Sequence, residues 1–317
     1  MPSNAILVAV DGQSADDWVQ QLRVHAPGRD IRRRPQESGD PADIAYACVW
    51  RAPHGLLAKF VNLKAIIALS AGVDHLLADP KLPAVPIARI VHPDLTMRMV
   101  EYIVLHVLMH HRHQRLYDAQ QRERVWKLHE QPPASEVAVG IMGLGAIGMT
   151  AGKVLADIGF KVAGWSRTQK NAAGIESFYG EGGLDPFLNR TEILVCVLPA
   201  TAATDGILNL RLFRQLKRDG ALRGAYLVNA ARGQVQIDAD ILAALAEGTL
   251  AGATLDVFPQ EPLPASSPLW THPQVTITPH NAGDISPRLL AREVIEQIER
   301  VERGEKLHHL VDRSVGY

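Results

Sequence analysis

The 317-residue sequence predicts an α/β protein of about two domains built on parallel sheets, and three observations carry that prediction. Two series of short apolar runs alternate with polar segments long enough for helices. The runs are continuously apolar rather than alternating, as in strands buried on both faces. The second series holds six such runs, the count of a doubly wound parallel sheet.

In the first series, residues 5–10, 44–50, 64–69 and 86–91 are the expected strands. A long helical stretch follows from about Leu95 to Trp126, with Met99, Ile103, Leu105, Leu108 and Leu116 as its apolar stripe. Gln131-Pro132-Pro133 then punctuates the chain. The second series runs through 136–142, 161–165, 193–198, 225–229, 252–256 and 275–278. After Pro287 a last helix extends to about Arg303, where Gly304 can end it. No internal repeat of short fixed period and no low-complexity tract interrupts this order.

The totals exclude several classes. A hydrophobic fraction of 47% is enough for full cores, and a formal net charge of −1 leaves no electrostatic footprint for nucleic acid or a membrane surface. The run at 5–10 is too short for a secretory signal, lacks a basic flank and stops at Asp11. The apolar stretch 99–109 carries Glu101 and His106 and is too short to span a bilayer. Cys48 and Cys196 each sit in an apolar run, so they read as buried thiols, and a reducing cytoplasm fits.

The strongest local motif is Gly143-Leu144-Gly145-Ala146-Ile147-Gly148. It follows an apolar run directly and opens a helix-like segment at 149–158, the context of a Rossmann dinucleotide turn. Gly143 would permit the tight turn, Gly145 the approach of a pyrophosphate and Gly148 close packing of helix on strand. Backbone amides at Ala146 and Ile147 would then point at the phosphates. The next run ends Trp165-Ser166-Arg167-Thr168, with no acid to accept from a ribose 2′-hydroxyl. Arg167 can instead pair with a 2′-phosphate, and Ser166 and Thr168 can add neutral hydrogen bonds. NADP(H) is the preferred cofactor, with NAD(H) left open. Leu198, Pro199 and Ala230, at the carboxyl ends of later runs, complete the expected cofactor-binding set.

Three polar groups stand at further strand ends: Asn229-Ala230-Ala231-Arg232-Gly233, Leu255-Asp256-Val257-Phe258 leading to Glu261, and Thr278-Pro279-His280-Asn281. Carboxyl ends of parallel strands border the ligand crevice, so all three groups can face one nicotinamide. His280 can protonate a nascent alkoxide; a nearby carboxylate, Glu261, would fix its ring. Arg232 offers a planar fork matched to a substrate carboxylate and a charge that polarises a ketone. Together these predict hydride transfer between a nicotinamide and a small 2-ketoacid.

The order GxGxxG, Asn-Ala-Ala-Arg-Gly, Leu-Asp-Val-Phe-x-x-Glu-Pro-Leu, Thr-Pro-His resembles the D-2-hydroxyacid dehydrogenase family and, within it, the glyoxylate/hydroxypyruvate reductase A group. Supporting stretches are Leu69-Ser70-Ala71-Gly72-Val73-Asp74, Ser267-Pro268-Leu269-Trp270 and Val311-Asp312-Arg313. The resemblance implies Arg232, Glu261 and His280 as the catalytic set and Asp256 at the nicotinamide carboxamide. It implies that Ala71, Gly72 and Val73 bind the substrate carboxylate, with Trp50, and Arg51 beside it, bordering the substrate. It implies a flavodoxin-like substrate-binding lobe and a Rossmann-like lobe with a cleft between them, and a homodimer built largely on the latter. The expected boundaries are 1–96 plus 285–317 for the first lobe and 97–284 for the dinucleotide-binding domain with its long linking helix. Substrates such as glyoxylate and hydroxypyruvate follow from the same resemblance.

Two stretches depart from the family pattern: Asn281-Ala282-Gly283-Asp284, where a more apolar run is expected, and 92–98. Of the remaining signals, His110, His111 and His113 read as a polar helix face, with no metal expected, and His308-His309 likewise. Arg32-Arg33-Arg34 reads as a solvated loop or strand edge. Two other functions stay open: an NAD-linked dehydrogenase of a larger D-2-hydroxyacid, and a non-catalytic dinucleotide sensor.

Overall fold

The computed structural model describes residues 4–11, 15–34, 37, 39–284 and 286–313. The chain forms two compact units, residues 1–93 with 285–317 and residues 94–284. Ile285, where the sequence places the return to the first lobe, lies outside the described residues.

The first unit is a five-stranded parallel sheet of β1 (Ala5–Val10), β2 (Ile31–Arg33), β3 (Ile44–Trp50), β4 (Ala65–Ala68) and β5 (Ile87–Arg89). Its order β2-β1-β3-β4-β5 is that of the flavodoxin-like sheets. Burial explains the sequence pattern: every residue of β4 and the first six of β3 are inaccessible, so the strands read as unbroken apolar runs. β2 was not among the expected strands, because three residues with two arginines give no apolar run. It is a sheet edge, where Arg32 pairs with Asp30 and Asp43 and Arg33 with Asp16. The helix Pro287–Glu302 starts on a Ser286 cap and ends before Gly304 in the left-handed conformation, as its sequence signals require. It packs on the helix Ala15–His25, and Arg29 grips Glu302 at 2.6 Å.

The second unit is a seven-stranded parallel sheet: β6 (Ala138–Met142), β7 (Lys161–Ser166), β8 (Ile175–Tyr179), β9 (Ile193–Cys196), β10 (Tyr226–Asn229), β11 (Gly252–Leu255) and β12 (Val275–Ile277). The order β12-β11-β10-β9-β6-β7-β8 reverses direction between β6 and β9, a topological switch point. The sequence yields six of these strands. β8 escapes it because this edge strand alternates buried Ile175 with exposed Glu176 and gives no continuous apolar run. Cys48 and Cys196 lie fully buried in the two sheets, and burial pushes both thiols up to about 12.

The long helical stretch is two helices, Pro93–His111 and Gln114–Glu123. His113, at φ 55°, turns the chain between them, and Arg124, at φ 58°, ends the second, so Val125 and Trp126 lie beyond it. The histidines of the first helix correct the sequence expectation. Of the expected polar face His110, His111 and His113, the first two are buried at 6% exposure each and His113 is half-buried; His106 is buried too, at 4%. Burial holds the three buried imidazoles below their ordinary range, His106 at about 4 and His110 at about 3, so they pack as neutral rings. His110 Nε2 meets Thr254 Oγ1 on β11 at 3.0 Å, and His111 packs edge-on against Phe160. Among the described residues no helix is long and apolar enough to cross a membrane.

Candidate active site

The glycine turn sits at the switch point. β6 runs into Gly143, whose φ of 109° is the left-handed region that favours glycine; a Cβ there would stand 3.0 Å from the carbonyl of Val197. A Cβ on Gly148 would lie 2.0 Å from the Gly143 carbonyl oxygen, so only glycine lets the helix start this close to the strand. Gly145 is the opposite case, with no atom within 4 Å of an added Cβ. It is the N-cap of the helix Ala146–Ile158, which opens three residues earlier than the sequence suggests. The first amide to bond back is Met149 N, to Gly145 O at 2.9 Å. The amides of Ala146, Ile147 and Gly148, ahead of that first bond, have no helical acceptor. An uncluttered glycine before three donors fits a dinucleotide pyrophosphate.

At the end of β7, Arg167 and Thr168 are exposed and no carboxylate follows. Ser166 is 8% exposed, and its hydroxyl donates to Thr168 O at 2.8 Å. That bond closes the turn after β7. The Trp165 indole donates to Gly180 O at 2.8 Å and ties β7 to the end of β8. Leu198 and Pro199 follow β9, where Thr204 closes the loop by donating to Pro199 O at 2.6 Å. Ala230, buried at the end of β10, donates to Cys196 O at 3.2 Å.

The Arg232 loop is built from below. Asn229, fully buried, accepts from Ala231 N at 3.1 Å and donates to Gln236 Oε1 at 2.7 Å, and Gln236 donates to Asp238 at 2.7 Å. Arg232 stands half-buried at the top, one arm donating to Ala231 O at 2.6 Å. An added Cβ on Gly233 would fall 1.9 Å from the Phe258 carbonyl, so this glycine lets the arginine loop lie against the segment that leads to Glu261.

Glu261 in turn has both oxygens assigned. Oε1 accepts from Phe258 N at 2.9 Å, and Oε2 lies 2.8 Å from His280 Nδ1. A carboxylate only accepts, so Nδ1 carries a hydrogen and donates it to Glu261. Asp256, 1% exposed, takes the Thr278 hydroxyl at 2.6 Å and Asn281 N at 2.9 Å on Oδ1, and Ala282 N at 3.0 Å on Oδ2. Its carboxylate holds the His280 turn from inside. Sequence reasoning missed Gln236, and it missed Tyr102, which bonds Thr278 from the helix Pro93–His111; the spacing Tyr102, His106, His110 was the available signal for a buried polar stripe on that helix.

The remaining expected residues belong to the first unit. Trp50 ends β3 half-buried, with the Arg51 guanidinium 4.6 Å from its ring centroid and Arg51 itself at φ 52°. Ala71, Gly72 and Val73 follow β4; Ser70 Oγ donates to Gly72 O at 2.7 Å and fixes that turn.

Comparison with known proteins gives the family. The D-isomer specific 2-hydroxyacid dehydrogenase NAD binding domain matches residues 104–282. Glyoxylate/hydroxypyruvate reductase A of Yersinia enterocolitica is 40% identical over 309 residues, 96% of each chain. The NADPH-dependent glyoxylate/hydroxypyruvate reductase of Sinorhizobium meliloti, solved with NADP and sulfate, is 40% identical over 99% of this chain and 100% of its own, with a TM-score of 0.93. A D-isomer specific 2-hydroxyacid dehydrogenase of Xanthobacter autotrophicus, solved with NADPH, is 41% identical over 99% of this chain and 100% of its own, with a TM-score of 0.90. Glycine turn, strand-end arginine and carboxylate-bound histidine therefore stand in a chain that belongs to the D-isomer specific 2-hydroxyacid dehydrogenase family.

Proposed function

We propose that this chain is a cytoplasmic NADPH-dependent reductase of small 2-ketoacids, glyoxylate and hydroxypyruvate among them. The observation that carries the reading is the His280 Nδ1 to Glu261 Oε2 contact of 2.8 Å, in the unit whose glycine turn fits a dinucleotide. The bound nicotinamide supplies a hydride to the carbonyl carbon. The chain's own residues do the rest. His280 gives its Nε2 proton to the carbonyl oxygen as that oxygen gains charge, while Glu261 keeps the ring in one orientation. Arg232 binds the substrate carboxylate and steadies the developing alkoxide. On the same reading Ala71, Gly72 and Val73 hold the carboxylate by their backbone, and Trp50 and Arg51 border the substrate. Arg167 and Thr168 take the 2′-phosphate, and the Ala146, Ile147 and Gly148 amides the pyrophosphate.

We also propose a homodimer built on the second unit. Leu105, Leu116, Trp126 and Leu128 are exposed there, the last two at 104% and 89%, and a second copy would cover them. Light scattering on the purified protein tests this; a monomer at tens of micromolar refutes it.

The test of the reaction is oxidation of NADPH, and of NADH in parallel, with a panel of 2-ketoacids. Turnover of glyoxylate or hydroxypyruvate, faster with NADPH, is expected. Binding of NADPH without turnover of any ketoacid would leave the dinucleotide sensor, and turnover confined to larger ketoacids with NADH would leave the NAD-linked dehydrogenase.

A further inference from the structure

We propose that Tyr102 is a positioning residue for the reaction: its hydroxyl, acting through Thr278 and the Asp256 carboxylate, holds the His280 turn in register for proton transfer. This rests on the reading of His280 as the proton donor.

The direction of each bond follows from proton counting. Tyr102 Oη and Thr278 Oγ1 stand 2.6 Å apart, and either could donate. Thr278 Oγ1 also lies 2.6 Å from Asp256 Oδ1, and a carboxylate only accepts. The single threonine proton is therefore committed to Asp256, and the tyrosine must donate to the threonine. Burial and the nearby Asp256 charge push the Tyr102 hydroxyl well above its ordinary range, so it keeps the proton it donates. The result is a one-way line, Tyr102 to Thr278 to Asp256, in which each bond polarises the next.

What the line holds is the turn around His280. Asp256 takes the Thr278 hydroxyl two residues before the histidine and the amides of Asn281 and Ala282 directly after it. His280 itself has φ 55°, a conformation that side-chain-bearing residues avoid, and such conformations persist where surrounding contacts over-determine them. Glu261 fixes the ring; Asp256 fixes the backbone that carries it. Tyr102 anchors that clamp to the helix Pro93–His111. The same helix is pinned to β11 by the His110 to Thr254 contact of 3.0 Å, and the His106 ring, centred 4.2 Å from that of Tyr102, packs beside the tyrosine.

The experiment compares Tyr102→Phe, Thr278→Val and Thr278→Ser with the parent. Tyr102→Phe removes one hydroxyl, Thr278→Val removes the relay atom at nearly constant shape, and Thr278→Ser keeps it. In the cofactor-free protein, hydrogen exchange of peptides spanning Asn281 and Ala282 should accelerate in Tyr102→Phe and Thr278→Val and return to the parent rate in Thr278→Ser. In the assay with NADPH and ketoacid, kcat should fall about tenfold in the first two, the scale of one lost hydrogen bond, with KM for the ketoacid within twofold and recovery in Thr278→Ser. Parent-like exchange in both Tyr102→Phe and Thr278→Val overturns the relay whatever happens to kcat. Faster exchange with unchanged kcat, in a protein where His280→Ala abolishes turnover, overturns the positioning role. If His280→Ala turns over normally as well, the reading of His280 is what has failed.

Discussion

Two turns of the second unit place a left-handed residue at the carboxyl end of a parallel strand, and they hold it by opposite means. Gly143 at φ 109° adopts its conformation without steric cost, and the parts that use it, Gly145 and Gly148, lie within five residues. His280 at φ 55° carries the side chain we propose as proton donor, and an L-residue there costs about 1–2 kcal/mol. Its supports come from far along the chain: Asp256 from the end of β11, Glu261 from the loop beyond, and Tyr102 from the helix before the sheet. A binding turn can be written locally because glycine has nothing to position. On the proposed reading the His280 turn has to be clamped, because its value lies in where one nitrogen points.

The comparison breaks most readily at His280 itself. In His280→Asn the left-handed backbone suits the new residue, whose amide cannot deliver a proton. kcat should fall by about 10²–10⁴, while stability to urea stays level or rises by up to about 1 kcal/mol and NADPH binding stays within a few-fold. A loss of stability above about 2 kcal/mol would show that the ring, not the backbone, dominates the local energetics. The glycine turn should answer in the reverse sense. Gly148→Ala sets a methyl 2.0 Å from the Gly143 carbonyl, and backbone must move to admit it. It should cost about 1–3 kcal/mol of stability and weaken NADPH at least tenfold, read by denaturation and by titration. Unchanged binding would mean that the pyrophosphate does not use this turn.

A smaller effect separates cofactor recognition from the turn itself. Arg167→Ala should raise the Kd for NADPH about tenfold and leave that for NADH within twofold, since only the 2′-phosphate distinguishes the two. Equal weakening of both would assign Arg167 to general electrostatics. This division also marks what could be read in the sequence. The glycine turn, the acid-free end of β7 and the arginine, glutamate and histidine at successive strand ends were all legible, because each is a local motif in a local context. Tyr102 and the inward use of Asp256 were not, since their partners lie up to 176 residues away. β2 and β8 were lost because edge strands need no unbroken apolar run. His110 and His111 were misread as a polar face because residue type does not reveal whether an imidazole is buried neutral.

The buried histidines of the helix Pro93–His111 give the smallest effect, and it tests the support of the His280 turn rather than the turn. His106 and His110 are held by burial at about 4 and about 3, below the 6.5 of an unfolded histidine. Above pH 6.5 both states are neutral and the fold keeps its full stability. Below it the unfolded chain takes protons that the folded chain refuses, so stability drains away as pH falls from about 6.5 toward 4. Nδ1 of His106 is buried with no hydrogen-bond partner among the described residues, so His106→Phe sacrifices no bond at that atom and can keep the ring contact with Tyr102. The variant should match the parent in Tm at pH 8 and lose less Tm between pH 6.5 and 4.5, by a few degrees, in paired thermal melts. Parallel losses would mean that His106 is protonated in the folded protein, with a positive charge set beside the tyrosine that anchors the clamp.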